Sequence, residues 1–294
     1  MPKHLSRHHL LVLTLAAPLT GCVADDDDDP EVTAAALAPS DFVFHQLSRT
    51  ANAVGEAREG EIYALGAGTP IINQPVYVDH DHNDPSTGFF LYPNAYGVAL
   101  DASAAGPWVV AANHTIWATL TAGAPFTNLS ETAIDLGVAE NGVAYRLGTE
   151  SILGGHPVWW LNPVSNGWRR VVGAAATRID ASDDGTLWAV NAAGEVWHVS
   201  GSPSAPIHEQ IGQPWTRATD ITVSSDGQVF VIGDSPNADH PVYYYNPGIN
   251  DFVEITGAAG VAITASRGYS VGAASTPCGV TVLNSAKQIW TTDL

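Results

Sequence analysis

Residues 167–201 read GWRRVVGAAATRIDASDDGTLWAVNAAGEVWHVSG and decide the fold class. Four short segments rich in β-branched and aromatic residues are separated by turn residues, at 168–172, 178–181, 186–190 and 195–199. The Asp184-Gly185 pair favours a tight hairpin, because glycine readily adopts positive φ. The stretch therefore predicts one unit of four antiparallel strands.

The same unit recurs along the chain. An aromatic residue of the last segment returns every 38 to 47 residues, at Tyr77, Trp117, Trp159, Trp197, Tyr243 and Trp290. A second aromatic series marks the segment that opens each unit, at Phe44, Phe90, Phe126, Trp168, Trp215 and Phe252. Repeats of this length are typical of propellers and solenoids.

Six units predict an all-β, six-bladed β-propeller of four-stranded blades spanning residues 41–294. A strand near 42–46 precedes the first complete unit and only three strands remain after 263, so we expect the N-terminal strand to complete the last blade. An open solenoid is the alternative, but it would expose two end units and normally carries caps.

Odd and even units differ. Units one, three and five contain QPVYVD, HPVWWLNP and HPVYYYNP, whereas units two, four and six contain HTIWAT, GEVWHV and KQIWTT, which lack the proline. The connection before the aromatic is 13 to 14 residues long in the odd units and 9 in units two and four. The pattern indicates three tandem double units.

The N-terminus is typical of exported proteins. Residues 1–21 have basic residues before a short apolar run, as in a signal peptide. Leu19-Thr20-Gly21-Cys22 resembles a lipobox, so we expect Cys22 to be acylated and anchored in a lipid bilayer. By resemblance to lipoprotein sorting signals, Val23 rather than aspartate directly after the cysteine implies the outer membrane of a bacterial cell envelope. An ordinary signal peptide is the alternative.

Charge excludes some partners. Residues 22–40 include five consecutive aspartates and predict a disordered, acidic tether. All 30 acidic residues but only 9 of the 11 basic ones follow position 21, so the processed chain carries −21. A nucleic-acid partner is therefore excluded, because phosphate binding requires basic residues. Cys278 would have no partner for a disulfide once Cys22 is acylated.

The unit at 167–201 resembles the tectonin repeat of fungal and slime-mould tectonins, fish-egg lectins and a horseshoe-crab lectin. The matching residues are Trp168, Val172-Gly173, Ile179-Asp180, Asp184-Gly185, Leu187-Trp188, Val190-Asn191, Gly194 and Val196-Trp197. The resemblance implies a six-bladed propeller, and it implies sugar binding because several members bind sugars of microbial or egg-coat surfaces. The proline insertions of the odd units depart from the family.

Adjacent aromatics in the odd units are candidate sugar ligands. Trp159 and Trp160 point to opposite faces of a strand, and Trp159 occupies the packing position that is aromatic in every unit. Trp160 and its equivalent Tyr244 are thus candidates for stacking on a sugar ring. The candidate hydrogen-bonding residues are His156, Asn162, His240 and Asn246. Buried aromatics with turn-forming Asn-Pro pairs are the alternative.

The sequence DHDHND at 79–84 is the most polar cluster of the folded region. Asp79, Asp81 and Asn83 alternate as in a calcium loop, although the EF-hand glycine and glutamate are missing. The cluster could hold calcium or another divalent metal, or form a solvated turn between strands. Asp101, Asp135 and Asp180 recur in the innermost segments and could line the axis as part of the repeat.

These features favour a membrane-anchored, multivalent lectin-like propeller that binds glycans without a cofactor. A protein-interaction scaffold of the cell envelope is the alternative, and a metal-dependent hydrolase or lyase is the second. No nucleophile elbow, phosphate loop or His-Glu-x-x-His motif occurs in the sequence, so we expect no enzymatic activity.

Overall fold

The computed structural model describes residues 42–57, 61–68, 72–80, 88–162, 165, 167–213, 217–225, 227–265, 270–271, 274–275 and 279–292. Every regular element in this part of the chain is a β-strand. None of it forms a helix long and apolar enough to cross a membrane. The signal peptide, the acidic tether, Cys22 and Cys278 lie outside the described residues.

Four sheets are four-stranded antiparallel meanders, one for each of units two to five. The prediction that residues 167–201 form one such sheet is wrong in its first strand, because residues 168–172 belong to the outer strand of the preceding sheet. Unit two contains β5 (Ala99–Ser103), β6 (Gly106–Val110), β7 (Thr115–Ala118) and β8 (Thr127–Thr132). Unit three contains β9 (Asp135–Val138), β10 (Ala144–Leu147), β11 (His156–Asn162) and β12 (Gly167–Ala176). Unit four contains β13 (Arg178–Ala181), β14 (Leu187–Val190), β15 (Val196–Ser202) and β16 (Ala205–Ile211). Unit five contains β17 (Ala218–Val223), β18 (Val229–Gly233), β19 (His240–Asn246) and β20 (Asp251–Gly260).

A seven-stranded sheet joins the two ends of the chain. Its N-terminal members are β1 (Phe44–Glu56), β2 (Ile62–Gly66), β3 (Gln74–Asp79) and β4 (Phe90–Gly97). Its C-terminal members are β21 (Ala262–Ala265), β24 (Val280–Leu283) and β25 (Gln288–Thr292), and the two-residue strands β22 (Ser270–Val271) and β23 (Ala274–Ser275) form a separate hairpin. The first half of β1 pairs with β25 and its second half with β2. The expected pairing of the N-terminal strand with the last strands of the chain is therefore present.

The innermost strands of the units form a closed ring. β1, β5, β9, β13, β17 and β21 each contact the next, and β21 contacts β1. They surround a central cavity of about 340 Å³. The sheets consequently radiate from an axis, and each sheet packs face to face with two neighbours.

Radial packing explains the composition of the strands. Because successive side chains point to opposite faces, a strand between two neighbouring sheets buries both faces and reads as a continuous apolar run. β2, β6, β14 and β18 are buried at every position. The core is correspondingly divided into six clusters, one at each junction between units.

The recurring aspartates of the inner ring join neighbouring units. Asp101 Oδ2 accepts a hydrogen bond of 2.6 Å from the backbone N–H of Val138. Asp180 Oδ2 likewise accepts from the N–H of Val223 at 2.7 Å. At Gly137 the backbones come so close that an added Cβ would lie 2.6 Å from the Cα of Asp180. The Leu100-Asp101 and Ile179-Asp180 steps are thus structural, whereas in unit three Gly137 takes the position of these aspartates and Asp135 lies two residues earlier.

The double-unit pattern recurs in the hydrogen bonds between units. A turn N–H in each even unit donates to an oxygen of the preceding odd unit: Ala112 to Asn73 Oδ1, Ala192 to Gly154 O, and Ser285 to Asp239 Oδ1. A different set joins each even unit to the next odd one: Ala133 to His114 O, Ala218 to Gly194 O, and Ala51 to Lys287 O. The two kinds of junction therefore alternate around the ring.

Candidate functional site

The repeated aromatic of the third strand is covered by an arginine in units one and three. The guanidinium of Arg49 lies 3.1 Å from the ring centroid of Tyr77, and that of Arg146 lies 5.0 Å from the ring centroid of Trp159. A cation over an aromatic face is attracted by the ring quadrupole. Arg146 is held in place by Thr132 O at 2.7 Å and Glu131 Oε2 at 3.0 Å. These ring faces are occupied by the protein itself.

In unit two the equivalent residue, Trp117, borders a cleft toward unit one. This cleft, called cleft A, has a volume of about 490 Å³ and includes Asn94, Asn113 and Phe126 in its walls. Trp117 is half-buried, and its ring lies parallel to that of Phe126 with centroids 6.5 Å apart. Its indole N–H donates to Thr115 Oγ1 at 3.1 Å, which fixes the orientation of the ring.

In unit four the equivalent residue, Trp197, borders a cleft toward unit three. This cleft, called cleft B, has a volume of about 320 Å³ and includes Gly173, Asn191 and His208 in its walls. His208 Nε2 lies 3.0 Å from the carbonyl oxygen of Val172, so the imidazole spans the two units. Leu153, at the rim of the cleft, is fully exposed.

The two clefts are built from equivalent positions. The strand pairings place Phe126 and His208 at the same point of the outer strand, two residues before the residue opposite the tryptophan. The outer strand of each facing odd unit contains a register shift, which bends the strand. The residue with positive φ beside that shift, Asn94 at 59° or Gly173 at 77°, lines the cleft.

A side-chain amide accompanies each of these indoles. Asn128 lies directly opposite Trp117, and Gln210 lies directly opposite Trp197, in antiparallel strand pairs. Directly opposite residues project from the same face of the sheet. Both amides are exposed. In the odd units the opposite residues are Leu91, Arg170 and Glu254.

The clefts suit a neutral ligand with one apolar face. Every residue that lines cleft A is uncharged, and His208 is the one titratable residue in the lining of cleft B. An indole offers a flat apolar surface, and the neighbouring amides offer both donors and acceptors. The chemistry matches a sugar, whose ring carbons form an apolar face and whose hydroxyls need hydrogen bonds.

The structure does not bring the residues predicted from the odd units into one site. Trp160 is half-buried and packs on the core cluster that contains Tyr145. Tyr244 is only 4% exposed, and its ring centroid lies 5.9 Å from that of Phe42. Tyr244 therefore belongs to the buried core of its junction and offers no open ring face, whereas Trp160, like Trp117, is half-buried against a core cluster.

The predicted polar partners are also separated. His156 and Asn162 lie at opposite ends of β11, and His240 and Asn246 lie at opposite ends of β19. Six strand steps span about 20 Å, which exceeds the reach of a monosaccharide. The two asparagines accept hydrogen bonds from nearby backbone N–H groups, Asn162 from Ser165 and Asn246 from Gly248. This agrees with the turn-forming role considered for them.

The candidate metal cluster is described only in part. Asp79 ends β3 and is buried, whereas Asp81 and Asn83 lie outside the described residues. Within the described ranges no three His, Cys, Asp or Glu side chains come together as a metal site. His80 Nδ1 lies 2.6 Å from Glu61 Oε1, so this histidine has a carboxylate partner.

The central cavity contains a second group of ionisable residues. Asp135, Arg178 and Asp220 occupy equivalent positions in consecutive inner strands, and Arg178 Nε lies 3.6 Å from Asp220 Oδ1. Burial raises the pKa of Asp135 to about 7 and that of Asp220 to about 6, although the guanidinium opposes both shifts. The two carboxylates in turn raise the pKa of Arg178. Three alanines take the same position in the other inner strands: Ala53, Ala99 and Ala262.

Comparison with solved structures identifies the fold. No family model and no curated protein sequence matches the chain. Similar structures include YCF48 bound to a D1 peptide, with a TM-score of 0.53 and 11% identity over 91% of this chain and 99% of that one. The SapL1 lectin in complex with α-methyl fucoside has a TM-score of 0.52 and 13% identity over 81% and 90%. Virginiamycin B lyase from Staphylococcus aureus has a TM-score of 0.50 and 13% identity over 86% and 99%. These neighbours are β-propellers, and the identities are low enough that the likeness concerns the fold alone.

Proposed function

We propose that this β-propeller is a lectin-like protein that binds neutral glycans in clefts A and B. One observation supports the proposal most strongly: a half-buried tryptophan with an exposed amide directly opposite it borders each of two equivalent clefts, and in cleft A the amide, Asn128, also lines the cleft. Two or more weak sites on one rigid body bind a multivalent surface with high avidity. Binding rather than catalysis is the activity proposed.

We also propose that the propeller has six blades. The closed ring of six innermost strands supports it, and so does the division of β1 between two partners. The seven-stranded sheet is then two blades that share β1, because β1 is the outer strand of the last blade and the inner strand of the first. The tectonin resemblance of unit four agrees with this count.

The covered aromatics of the odd units support the choice of Trp117 and Trp197. A guanidinium already stacks on the equivalent rings of units one and three. In units two and four the corresponding residue borders a cleft of about 490 or 320 Å³. The net charge of −19 and the uncharged lining of cleft A disfavour acidic sugars.

We further propose that Cys22 is acylated and anchors the protein in a bacterial envelope membrane, with the outer membrane as the site. The lipobox-like sequence supports the anchor, and the acidic segment 22–40 would keep the domain away from anionic lipid. We expect Cys22→Ser to move the protein from the membrane fraction to the soluble fraction. Retention of the variant in the membrane fraction after a high-salt wash would contradict the anchor.

A protein-binding scaffold is the second candidate. The rings equivalent to Trp117 and Trp197 in units one and three each carry an arginine side chain on one face, so a basic side chain of a partner could stack on Trp117 or Trp197. The acidic domain would attract such a partner. A metal-dependent hydrolase or lyase is a third candidate, and it would use the central carboxylates or the cluster at 79–84.

A glycan array with the purified domain separates these candidates. We expect binding to neutral glycans that free monosaccharide at millimolar concentration reverses, because each cleft alone is weak. A bound set dominated by acidic glycans would contradict the neutral lining. Failure to bind any glycan, together with capture of one basic envelope protein in stoichiometric amount, would favour the scaffold instead.

A further inference from the structure

The junction between units five and six repeats the arrangement of residues found at clefts A and B. Trp290, on β25, is half-buried and occupies the position of Trp117 and Trp197. Gln46 lies directly opposite it and is exposed, as are Asn128 and Gln210 opposite the other two indoles. Phe44 precedes Gln46 by two residues and thus takes the place of Phe126.

The walls of this junction also match. Ser285 donates its N–H to Asp239 Oδ1 across the junction, as Ala112 and Ala192 do in the other two. Asn284 binds the side chain and N–H of Gln288 at 2.8 and 2.9 Å, as Asn191 binds Glu195 at 2.6 and 3.0 Å. Gly257 has a φ of 86° at the position of Gly173.

One feature distinguishes this junction from the other two. In clefts A and B the tryptophan and its opposite amide come from strands that are adjacent in sequence. Here Trp290 lies near the C-terminus of the chain, and Gln46 and Phe44 come from β1 near its start. The indole and the amide are on the same face only when β1 pairs with β25, so the site depends on ring closure.

From these positions we propose that the junction of units five and six is a third glycan site, cleft C, and that a sugar bound there fastens β1 to β25. The proposal rests on the glycan-binding function proposed above. A ligand that binds only the closed form opposes opening by RT ln(1 + [L]/Kd), which is about 2.7 kcal/mol at a hundredfold excess over Kd. Sugar bound in cleft C therefore stabilises the closure of the ring, whereas sugar in clefts A and B bridges neighbouring units elsewhere.

Calorimetric titration with the methyl glycoside of the sugar selected by the array tests the number of sites. We expect three sites in the wild type and two in Trp290→Ala or in Trp117→Ala. Gln46→Ala, an exposed change outside the core, should weaken one site of the three at least fivefold while the other two keep their affinity. Two sites in the wild type, unchanged by Trp290→Ala and Gln46→Ala, overturn cleft C but leave clefts A and B. Absence of binding overturns both proposals.

Hydrogen exchange of β1 tests the link to closure. The same methyl glycoside at saturation should slow exchange of the amides of residues 44–46 at least tenfold in the wild type. In Gln46→Ala, at the same sugar concentration, the slowing should fall in proportion to the weakened affinity of cleft C, to about threefold or less where the wild type shows tenfold. Equal protection of residues 44–46 in both proteins would show that the sugar does not act through cleft C.

Discussion

Replacement of Trp117 or Trp197 with alanine is expected to abolish most glycan binding by the affected cleft. An aromatic anchor in a binding pocket contributes about 2 kcal/mol or more, which corresponds to a loss of roughly 30-fold in affinity. In the double variant we expect binding to a glycan-coated surface to fall by a further factor of about 10² or more, because avidity is lost with the second site. Surface plasmon resonance against an immobilised glycan measures both effects.

Trp159→Ala is the matched control for these variants. It removes the same side chain from the same position of the repeat, but the indole of Trp159 is already stacked on Arg146. We therefore expect Trp159→Ala to lower the melting temperature and to leave glycan affinity within twofold of wild type. An equal loss of affinity in Trp159→Ala and Trp117→Ala would show that the losses arise from destabilised blades and not from a cleft.

Stability is expected to fall as pH rises from about 4 to 7, because of Asp135 and Asp220. Their pKa values in the folded protein, about 7 and about 6, lie above the value of about 3.9 for an aspartate in an unfolded chain. Between these values the folded state binds more protons than the unfolded state, so unfolding becomes easier as pH increases. Both side chains line a cavity, which reduces the effect to about 1–3 kcal/mol.

Asp135→Asn isolates this effect from the general charge of the domain. The amide oxygen can still accept the bonds from the N–H groups of Leu136 and Ile179, and it carries no charge to bury. We expect the variant to be more stable than wild type at pH 8 and equally stable at pH 4, as measured by urea unfolding. Asp234→Asn, which removes one charge from an exposed position, should keep the wild-type pH profile. A profile of Asp135→Asn parallel to that of wild type would contradict the assignment.

Local patterns were sufficient to predict the repeated strands. The segments at 178–181, 186–190 and 195–199 match β13, β14 and the start of β15 to within one residue at their first positions. Hydrophobic alternation and Asp-Gly turns are local signals, so they can be recognised in a single sequence. The pairing of β1 with β25 was also predictable. The sequence has one extra strand at its start and a last unit with only three strands, so the first strand can supply the missing fourth strand.

One outer strand was not predicted. The aromatic series places Trp215 at the opening of a unit, but the outer strand of unit four is β16 (Ala205–Ile211), which ends before Trp215. Trp215 itself lies outside the described residues. β16 contains Pro206, His208, Glu209 and Gln210, which are mostly exposed and lack the apolar pattern of a strand. A strand at the outer edge buries little, so its sequence carries a weak signal.

The site could be predicted only in kind. The sequence indicates repeated aromatics beside amides on the odd units, whereas the proposed sites use such pairs on units two and four. Trp117 and Trp197 were interpreted as packing residues because every unit has an aromatic there. Arg49 and Arg146 stack on the equivalent rings of units one and three, and the strand register places Asn128 opposite Trp117. Both features depend on the tertiary structure, so the spacing of residues in the sequence could not predict them.

The indole N–H resonances of the nine tryptophans provide the most direct test of the glycan clefts. In a ¹H–¹⁵N spectrum, assigned with single Trp→Phe variants, addition of the array-selected methyl glycoside should shift the signals of Trp117 and Trp197. The signals of Trp108 on β6 and Trp188 on β14, whose side chains are buried between neighbouring sheets, should not move. Shifts confined to Trp160, or no shift of Trp117 and Trp197 at a sugar concentration that saturates binding, would contradict the proposal that the even-unit clefts are the glycan sites.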